Sequence, residues 1–379
     1  MSDYSNLLLR LQSEGMKMED DKVGASGRTG GAGPSDHKAI HLDGSTIMVP
    51  IYNNRSKNSL FWASKPNEVG VSSLYEGDKK VASITFPRQP EFYKHFTTDG
   101  VPMWKVAQLH SKDVLATTVL QNCVRYYDQS TSCQFCAIGE SLKAGKTIAY
   151  KKPHHLAETA KIAVELDGIS QFVMTTGTPN TSDRGAKLLY ESVIAVKQLV
   201  DIPIQVQCEP PDDFSWFQRL KDAGADTLGM HMEAATQRTR EAIMPGKAEV
   251  TLDYYYEAFE AAVAVFGRAQ VSTYILAGLG DTQEEIINES YHLISLGVYP
   301  FVVPFVPITG TPLADHPAPN SEFMQPVLEK VGARLFEAGM TSDTMKAGCG
   351  KCGACSTLKA FESQGQETSA SAVIERPTS

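Results

Sequence analysis

The sequence predicts an α/β fold, namely a partial (β/α)6 barrel of the TIM type with a small β-rich N-terminal region and a C-terminal cysteine-cluster extension. Short apolar strand patterns alternate with helical patterns, which is typical of a parallel sheet with right-handed crossovers. Six such units are too few for a closed eightfold barrel. Cysteines gather in two groups, one after the first predicted barrel strand and one beyond the last.

The predicted strands follow one another along the middle of the chain. The first precedes Cys123, and the others are Gln171–Gly177, Ile204–Glu209, Thr227–Glu233, Gln270–Leu276 and Pro300–Val306. The helical patterns between them are Gly185–Val200, Asp213–Ala223, a segment that ends at Arg240, and Thr282–Leu296. In barrels of this kind the chemistry lies at the carboxyl ends of the strands.

Changes in composition divide the chain into five parts. They are a flexible N-terminal segment (1–40), a small β-rich region (41–112), the barrel (113–315), a helix with the cysteine extension (316–361) and a disordered tail (362–379). A Gly- and Ser-rich stretch within residues 13–37 predicts a mobile loop. The tail is rich in Ser, Thr, Glu and Gln and lacks the apolar residues that a core needs.

The charge balance excludes several classes of protein. The chain has 379 residues, with 35 Lys and Arg against 44 Asp and Glu, and no basic stripe. This argues against a nucleic-acid partner. We find no secretory signal and no apolar run long enough to span a membrane. Six of the seven cysteines lie in the two groups, which indicates a reducing compartment rather than a disulfide framework. We therefore expect a cytoplasmic protein.

The first cysteine group is Cys123, Cys133 and Cys136, with the spacing C-x9-C-x2-C. A structural zinc site is closed by four protein ligands, and a ferredoxin-type cluster by four cysteines. Three thiolates on a [4Fe–4S] cluster would leave one iron open to a small molecule. Phe135 would shield the cluster on one side. A zinc site completed by a distant Cys or His is the alternative at this point.

Polar residues and glycines stand where the predicted strands end. They are Thr176, Gly177, Thr178, Glu209, Glu233 and Gly278. A single glutamate at such a position is usually a solvated rim residue. Two carboxylates at equivalent ends of apolar strands indicate a binding site instead.

With these residues the chain resembles the radical S-adenosylmethionine (SAM) superfamily, in its biotin-synthase-like and hydrogenase-maturation-like branch, over roughly Thr117 to Pro312. The usual spacing there is C-x3-C-x2-C, so the first gap is longer here. The resemblance implies that SAM chelates the open iron. One electron then cleaves SAM to a 5′-deoxyadenosyl radical, which abstracts hydrogen from a small substrate. It also implies a reducing partner such as flavodoxin or ferredoxin.

The resemblance implies a role for each strand end. His231–Ala248 is similar to the segment whose strand-end acid contacts the cofactor, and Glu233 occupies that position. Tyr274–Glu285, with Gly278, is similar to the region whose backbone packs beside the adenine. Met174–Thr178 stands where the family has a Gly-Gly-Glu-like strand end that holds the methionine amino group.

Two departures from the family pattern concern the cofactor. Thr178 stands where an acid is usual, so that a hydroxyl or a carbonyl would hold the ammonium group. The arginine that binds the cofactor carboxylate would fall near Tyr255, and a tyrosine cannot form the bidentate pair that arginine forms. Arg240 is our expected replacement, with Arg238 and Lys247 as alternatives.

The second cysteine group is Cys349, Cys352 and Cys355, with the spacing C-x2-C-x2-C. Interleaved glycines let the backbone wrap closely around a metal. We expect an auxiliary iron–sulfur cluster, with zinc as the alternative. The extension could fold back over the open strand ends, where an iron without a fourth protein ligand would anchor substrate or a transferable sulfur. Cys208 is expected to be a core thiol.

Two further interpretations complete the prediction. His154 and His155 begin a helix and are interpreted as its solvated N-terminus rather than as a metal pair. The chain also looks like a branch encoded in nitrilase-associated gene clusters, which hints at a small nitrogen-containing substrate. The contrasting hypothesis is a non-enzymatic iron–sulfur carrier or a zinc-stabilised barrel protein, which would need no adenosyl pocket.

Overall fold

The computed structural model describes residues 3–19, 37–51 and 54–362. Most of the predicted mobile loop within residues 13–37 lies outside the described residues, as does the predicted tail beyond residue 362. None of the helices in the described ranges is long and apolar enough to cross a membrane.

Two sheets organise the described residues. The strands are β1 (Lys17–Met18), β2 (His37–Leu42), β3 (Ser45–Pro50), β4 (Phe61–Ala63), β5 (Val71–Glu76), β6 (Lys79–Thr85), β7 (Gln108–His110), β8 (Val114–Thr118), β9 (Gln171–Thr175), β10 (Ile204–Gln207), β11 (Thr227–Gly229), β12 (Val271–Ala277) and β13 (Val298–Pro304).

The α-helices lie before, between and after these strands. They are α1 (Asp3–Glu14), α2 (Asn54–Lys57), α3 (Met103–Val106), α4 (Glu140–Lys143), α5 (Pro153–Asp167), α6 (Ala186–Leu199), α7 (Ser215–Asp222), α8 (Gln237–Ile243), α9 (Pro245–Ala248), α10 (Leu252–Phe266), α11 (Gln283–Leu296), α12 (Ser321–Glu337) and α13 (Cys349–Cys352). Short 3-10 helices cover Glu91–Lys94 and Ser342–Thr344.

The larger sheet has the order β13-β12-β11-β10-β9-β8-β7. Strands β8 to β13 are parallel, which confirms the predicted partial (β/α)6 barrel. The edge strand β7 runs antiparallel to β8 and was not predicted. Strand β13 is buried along its whole length, as expected for a parallel strand covered on both faces.

The smaller sheet has the order β1-β4-β5-β6-β2-β3 and is mostly antiparallel. Strands β3 to β6 lie in the predicted β-rich region 41–112, whereas β1 and most of β2 lie in the segment 1–40 that was predicted to be flexible. The inner face of this sheet packs against helix α1 through Leu8 and Leu11 and forms a second apolar core. The alternating apolar pattern of Ser45–Pro50 explains this packing, because every second side chain of a strand points to the same face of the sheet.

Strand β11 is shorter than predicted. It ends at Gly229, whereas the pattern extended to Glu233. Glu233 has a left-handed φ of 68° and makes an isolated bridge with Ile275. Its N–H donates to Tyr274 O at 3.0 Å, and its own carbonyl accepts from Leu276 N at 2.8 Å. Strain of this kind is rare outside turns and functional sites, and here strand β12 fixes the direction of an acidic side chain.

The cysteine extension docks at the amino ends of the barrel strands, so our expectation that it folds over the carboxyl ends is wrong. The side-chain oxygens of Gln171, Gln205 and Gln270 accept from backbone N–H groups of Gly348 (2.6 Å), Cys349 (3.2 Å) and Lys346 (3.0 Å), respectively. Gln171 is the first residue of β9, Gln205 is the second of β10, and Gln270 directly precedes β12. A glycine-rich turn buries N–H groups that need acceptors, and the glutamines supply them.

The extension also joins the two sheets. The Ala354 carbonyl accepts from Met48 N at 2.8 Å and from Gln12 Nε2 at 3.4 Å, both in the N-terminal region. Ser356 Oγ donates to the Val302 carbonyl of β13 at 2.6 Å. The segment is therefore an integral part of the fold, held by the barrel and by the smaller sheet.

Glu289 on α11 should make the free energy of unfolding depend on pH. Tyr256 OH donates to its Oε2 at 3.0 Å, while Oε1 is buried without a partner. Burial raises the pKa of Glu289 from 4.5 to about 7. Because the folded pKa is the higher one, the stabilisation is complete below pH 4.5 and is lost as pH rises through 7. Glu289→Gln should remove this loss, on the order of 1–3 kcal/mol.

Urea unfolding at pH 5 and pH 8 measures the effect. Glu284→Gln is the matched control, since Glu284 is exposed on the same helix. The same decline in unfolding free energy for Glu289→Gln and the original chain would show that this carboxyl does not titrate as described.

Candidate active site

The loop that carries Cys123 lies on the carboxyl end of strand β9. Gly177 N donates to Leu120 O at 2.9 Å, and Val124 N donates to Thr178 O at 2.8 Å. A Cβ at Gly177 would stand 1.9 Å from the carbonyl oxygen of Asn122. A glycine is therefore required where this loop crosses the strand end.

Cys133 and Cys136 occupy one tight turn, in which Cys136 N donates to Cys133 O at 3.0 Å. The turn is fastened to the segment after strand β11. Gln134 N donates to Ile243 O at 2.9 Å, and Gly246 N donates to Thr131 O at 3.1 Å. The cysteine loop is thus held by two neighbouring regions of the barrel rim.

The thiols of the first group are strongly desolvated. Burial raises the pKa of Cys136 to about 12 and raises that of Cys133 as well, although the nearby charge of Lys247 opposes the shift. The thiolate of Cys123 also disfavours ionisation of Cys136. Without a metal the thiols of Cys133 and Cys136 are protonated, and metal binding has to displace these protons.

Glu209 lies beside the cysteine loop with one oxygen satisfied and one free. Its Oε1 accepts from Thr178 Oγ1 at 2.7 Å and forms an ion pair with Arg125 Nη1. Its Oε2 is buried and has no hydrogen-bond partner. The sequence placed Glu209 at a strand end but did not indicate Arg125. A buried carboxylate oxygen without a partner is unfavourable, and a cationic or hydroxyl group of a ligand would satisfy it.

Glu233 and Lys247 form a second ion pair at this end of the barrel, with Nζ 2.8 Å from Oε1. The two side chains are only 15% and 11% exposed. Burial alone lowers the pKa of Lys247, but Glu233 raises it well above the ordinary value, so the ammonium stays charged. The charges of Lys247 and Glu233 both act on the Cys133 thiol.

Arg240 is fully buried and donates to two backbone carbonyls and one glutamine side chain, one of the carbonyls being that of Lys247. Its guanidinium carbon lies 4.9 Å from the centre of the Tyr255 ring. Arg238 is exposed and pairs with Glu285 at 3.0 Å. Of Arg238, Arg240 and Lys247, the structure therefore places the charge of Lys247 beside the Cys133 thiol.

The remaining predicted residues lie at or near the carboxyl ends of the strands. Phe135 is half-buried within the cysteine turn. Thr176 Oγ1 donates to Gly177 O at 2.9 Å. Gly278 has a left-handed φ of 101°, and a Cβ there would stand 2.7 Å from Pro319. Their contacts with a cofactor stay predictions.

His231 was not predicted as a site residue. Its Nδ1 accepts from Tyr274 N at 3.2 Å, so the neutral ring carries its proton on Nε2, which is buried without a partner. Burial, with a smaller contribution from Lys247, lowers the pKa of His231 to about 3. The only sequence signal was a polar ring within an apolar strand pattern.

The second thiol group points into the same barrel from the opposite end. Gln207 Nε2 donates to Cys349 Sγ at 3.2 Å, and Tyr274 OH is hydrogen-bonded to the same thiol. Cys355 Sγ lies 3.4 Å from His110 Nε2. The ring of Tyr274 lies 4.6 Å from that of His231, so Tyr274 connects the second group with the interior below the first.

In the described part of the chain, only Asp99, His154 and His155 bring three possible ligand atoms within 4.8 Å of one another. His155 Nδ1 accepts from Lys152 N at 3.2 Å, so its Nε2 holds a proton and donates it to Asp99. That nitrogen offers no lone pair to a metal. The two histidines lie at a helix N-terminus, as predicted, but His155 is buried rather than solvated.

Comparison with known proteins shows which proteins the chain is similar to. Residues 129–289 match the family model "Radical SAM superfamily". A bacteriochlorophyllide c C-7(1)-hydroxylase of Chlorobaculum limnaeum is 26% identical over 86% of this chain and 83% of its own length. A biotin synthase of Acinetobacter baumannii is 28% identical over 65% and 68%. A crystal structure of methylornithine synthase covers 59% of this chain and 62% of its own, with 17% identity and a TM-score of 0.46.

Gly177 generates a prediction about the first thiol group. Gly177→Ala should displace the Cys123 loop and lower the iron bound there at least twofold, because the new Cβ meets backbone rather than a movable side chain. Iron per chain after anaerobic reconstitution is the measurement. Gly145→Ala is the control for backbone strain alone, since a Cβ there meets nothing within 4 Å while its φ of 66° is left-handed. Full iron content in Gly177→Ala would mean that this approach does not position Cys123.

Proposed function

We propose that the chain is a radical SAM enzyme in which Cys123, Cys133 and Cys136 hold a [4Fe–4S] cluster, and the match of residues 129–289 to the radical SAM family model supports this. The observation that carries the proposal is a buried carboxylate oxygen of Glu209 without a partner, beside three thiols at one end of the barrel. When bound, the cluster and SAM supply a one-electron cleavage that yields a 5′-deoxyadenosyl radical for hydrogen abstraction.

Glu209 takes the part of the acid that is missing at Thr178. The Thr178 hydroxyl donates to Oε1 of Glu209 and so orients the carboxylate, while the free Oε2 accepts from the amino group of SAM. Arg125 pairs with Glu209 and ties it to the cysteine loop. A carboxylate in a desolvated site binds an ammonium group more strongly than a threonine hydroxyl does.

Lys247 takes the part of the arginine that is missing at Tyr255. It is a charged ammonium group close to Cys133, where it can pair with the carboxylate of SAM. Arg240 holds the Lys247 backbone in place and positions the cation. Glu233, fixed by strand β12, contacts both Lys247 and the bound cofactor.

The substrate is a small molecule that binds inside the barrel, between the two thiol groups. The side chains of Gln207, His231 and Tyr274 lie in this region, and they keep water from a reactive radical. A small nitrogen-containing metabolite is the first class to test, on the family resemblance alone. Flavodoxin or ferredoxin supplies the electron.

Cys349, Cys352 and Cys355 hold an auxiliary iron–sulfur cluster, with zinc as the alternative. Their thiols are buried and receive hydrogen bonds from Gln207 and Tyr274, as cluster sulfurs commonly do. Within the described residues the three sulfurs do not all lie within 4.8 Å of one another. Ligands on separate irons are spaced in this way, whereas three ligands of one zinc ion lie closer together.

Removing one cluster thiol tests the proposal. Anaerobically reconstituted protein with dithionite should convert SAM to 5′-deoxyadenosine, and Cys133→Ala should abolish the product. Liquid chromatography of the quenched reaction measures it. Cys208→Ala, which removes a buried core thiol, should retain cleavage. Equal product from Cys133→Ala would remove the central claim.

The acidic contacts generate a second prediction. Glu209→Gln keeps a hydrogen-bond acceptor for Thr178 but removes the charge, and Glu233→Ala removes the partner of Lys247. Each should weaken SAM binding about tenfold or more, since hydrogen bonds to charged groups contribute roughly 1.5–3 kcal/mol. Iron at the first group should be unchanged.

Equilibrium dialysis with labelled SAM measures the affinity. Glu249→Gln is the control, because Glu249 is exposed close to Lys247 in sequence. Unaltered affinity in both acidic variants would make these carboxylates structural rather than cofactor contacts.

A further inference from the structure

Two consecutive residues at the end of strand β7 face the second thiol group. His110 Nε2 lies 3.4 Å from Cys355 Sγ, and the Ser111 side chain is hydrogen-bonded to Cys352. Successive side chains of a strand normally point to opposite faces. Here Ser111 has a left-handed φ of 60°, which lets both residues reach the thiols.

A left-handed serine buried in this way is uncommon, since non-glycine residues seldom have positive φ. Ser111 is only 6% exposed. Strained residues of this kind cluster at ligand-binding and active sites. The backbone of β7 is thus bent at the point where it presents an imidazole and a hydroxyl to Cys355 and Cys352.

The separation between imidazole and thiol matches two ligands on one metal ion. With Zn–S near 2.3 Å, Zn–N near 2.0–2.1 Å and a tetrahedral angle, the nitrogen and the sulfur are about 3.5 Å apart. Each iron of a cubane cluster takes a single protein ligand, so two ligands on different irons lie much farther apart. The 3.4 Å contact of Cys355 with His110 fits a shared ion.

We propose that His110 is the fourth protein ligand of the second metal centre and shares one metal ion with Cys355. The inference rests on the auxiliary centre proposed above and deepens it. Cys349 and Cys352, one turn apart in α13, bind the other iron of a two-iron cluster. Histidine ligation of such clusters is established chemistry.

This ligand set changes the expected role of the centre. Three cysteines and one histidine leave no metal position open, so substrate binds beside the centre rather than on it. Tyr274 and Gln207 donate to the Cys349 sulfur, and such hydrogen bonds help to set the potential of a cluster. Replacing histidine by cysteine should lower that potential, since histidine ligation raises it.

The second metal centre is best measured in a variant that cannot bind the first cluster. In full-length protein with Cys123, Cys133 and Cys136 all changed to Ala, iron, zinc and sulfide are measured after anaerobic purification. Pulsed electron paramagnetic resonance of the dithionite-reduced protein then detects nitrogen bound to iron. X-ray absorption spectroscopy counts nitrogen and sulfur neighbours if zinc is found.

Three variants in this background separate ligation from hydrogen bonding. His110→Gln keeps a hydrogen-bond donor for Cys355 but cannot replace the imidazole as a ligand. It should abolish the nitrogen coupling and lower bound metal at least twofold. His110→Cys should retain the metal, lack the coupling and shift to lower potential. His95→Gln, at an exposed histidine, should change nothing.

The outcomes distinguish the proposals. A zinc ion with three sulfur neighbours and one nitrogen, altered by His110→Gln, upholds the ligand and overturns the iron–sulfur identity of the centre. An unaltered signal in His110→Gln overturns the ligand and reduces His110 to a hydrogen-bond donor. Absence of any metal in this background overturns both. SAM cleavage in the intact chain is independent of all three.

Discussion

The burial of two ion pairs at the carboxyl end of the barrel is the constraint on which the candidate site depends. Arg125 pairs with Glu209, and Lys247 pairs with Glu233, with little solvent around either pair. Buried ion pairs are costly unless their remaining hydrogen-bonding capacity is used. The barrel meets part of this cost through backbone and hydroxyl contacts and leaves one oxygen of Glu209 for a ligand. The Arg125–Glu209 pair also attaches the cysteine loop to the end of strand β10.

The opposite end of the barrel is closed by neutral hydrogen bonds. Gln171, Gln205 and Gln270 accept from the backbone of the cysteine extension and so place a second set of thiols inside the same barrel. Substitution at Gly348 would force its Cβ to within 2.1 Å of Gln205, which explains the glycine next to the first cysteine. The barrel interior is therefore bounded by a thiol group at each end.

The fold could be predicted from local sequence patterns. Each barrel strand has its own short run of apolar residues, and each helix has its own residues that mark where it begins and ends. Both thiol groups were visible because their members are close in sequence. The Arg125–Glu209 pair was not, since its members are 84 residues apart and each alone resembles a solvated side chain. Lys247 could be separated from Arg240 only by contacts. The docking of the cysteine extension could not be predicted either. It depends on Gln171, Gln205 and Gln270, which in the sequence look like ordinary residues at the start of a strand.

The proposed function requires an iron at Cys123, Cys133 and Cys136 that SAM would chelate, with Glu209 and Lys247 beside it. Electron–nuclear double resonance of the reduced protein with SAM labelled in its amino nitrogen and carboxylate oxygens tests this most directly. The account predicts hyperfine couplings from both labels, which place amino and carboxylate groups on one iron. A reduced cluster whose spectrum is unchanged by labelled SAM would contradict it.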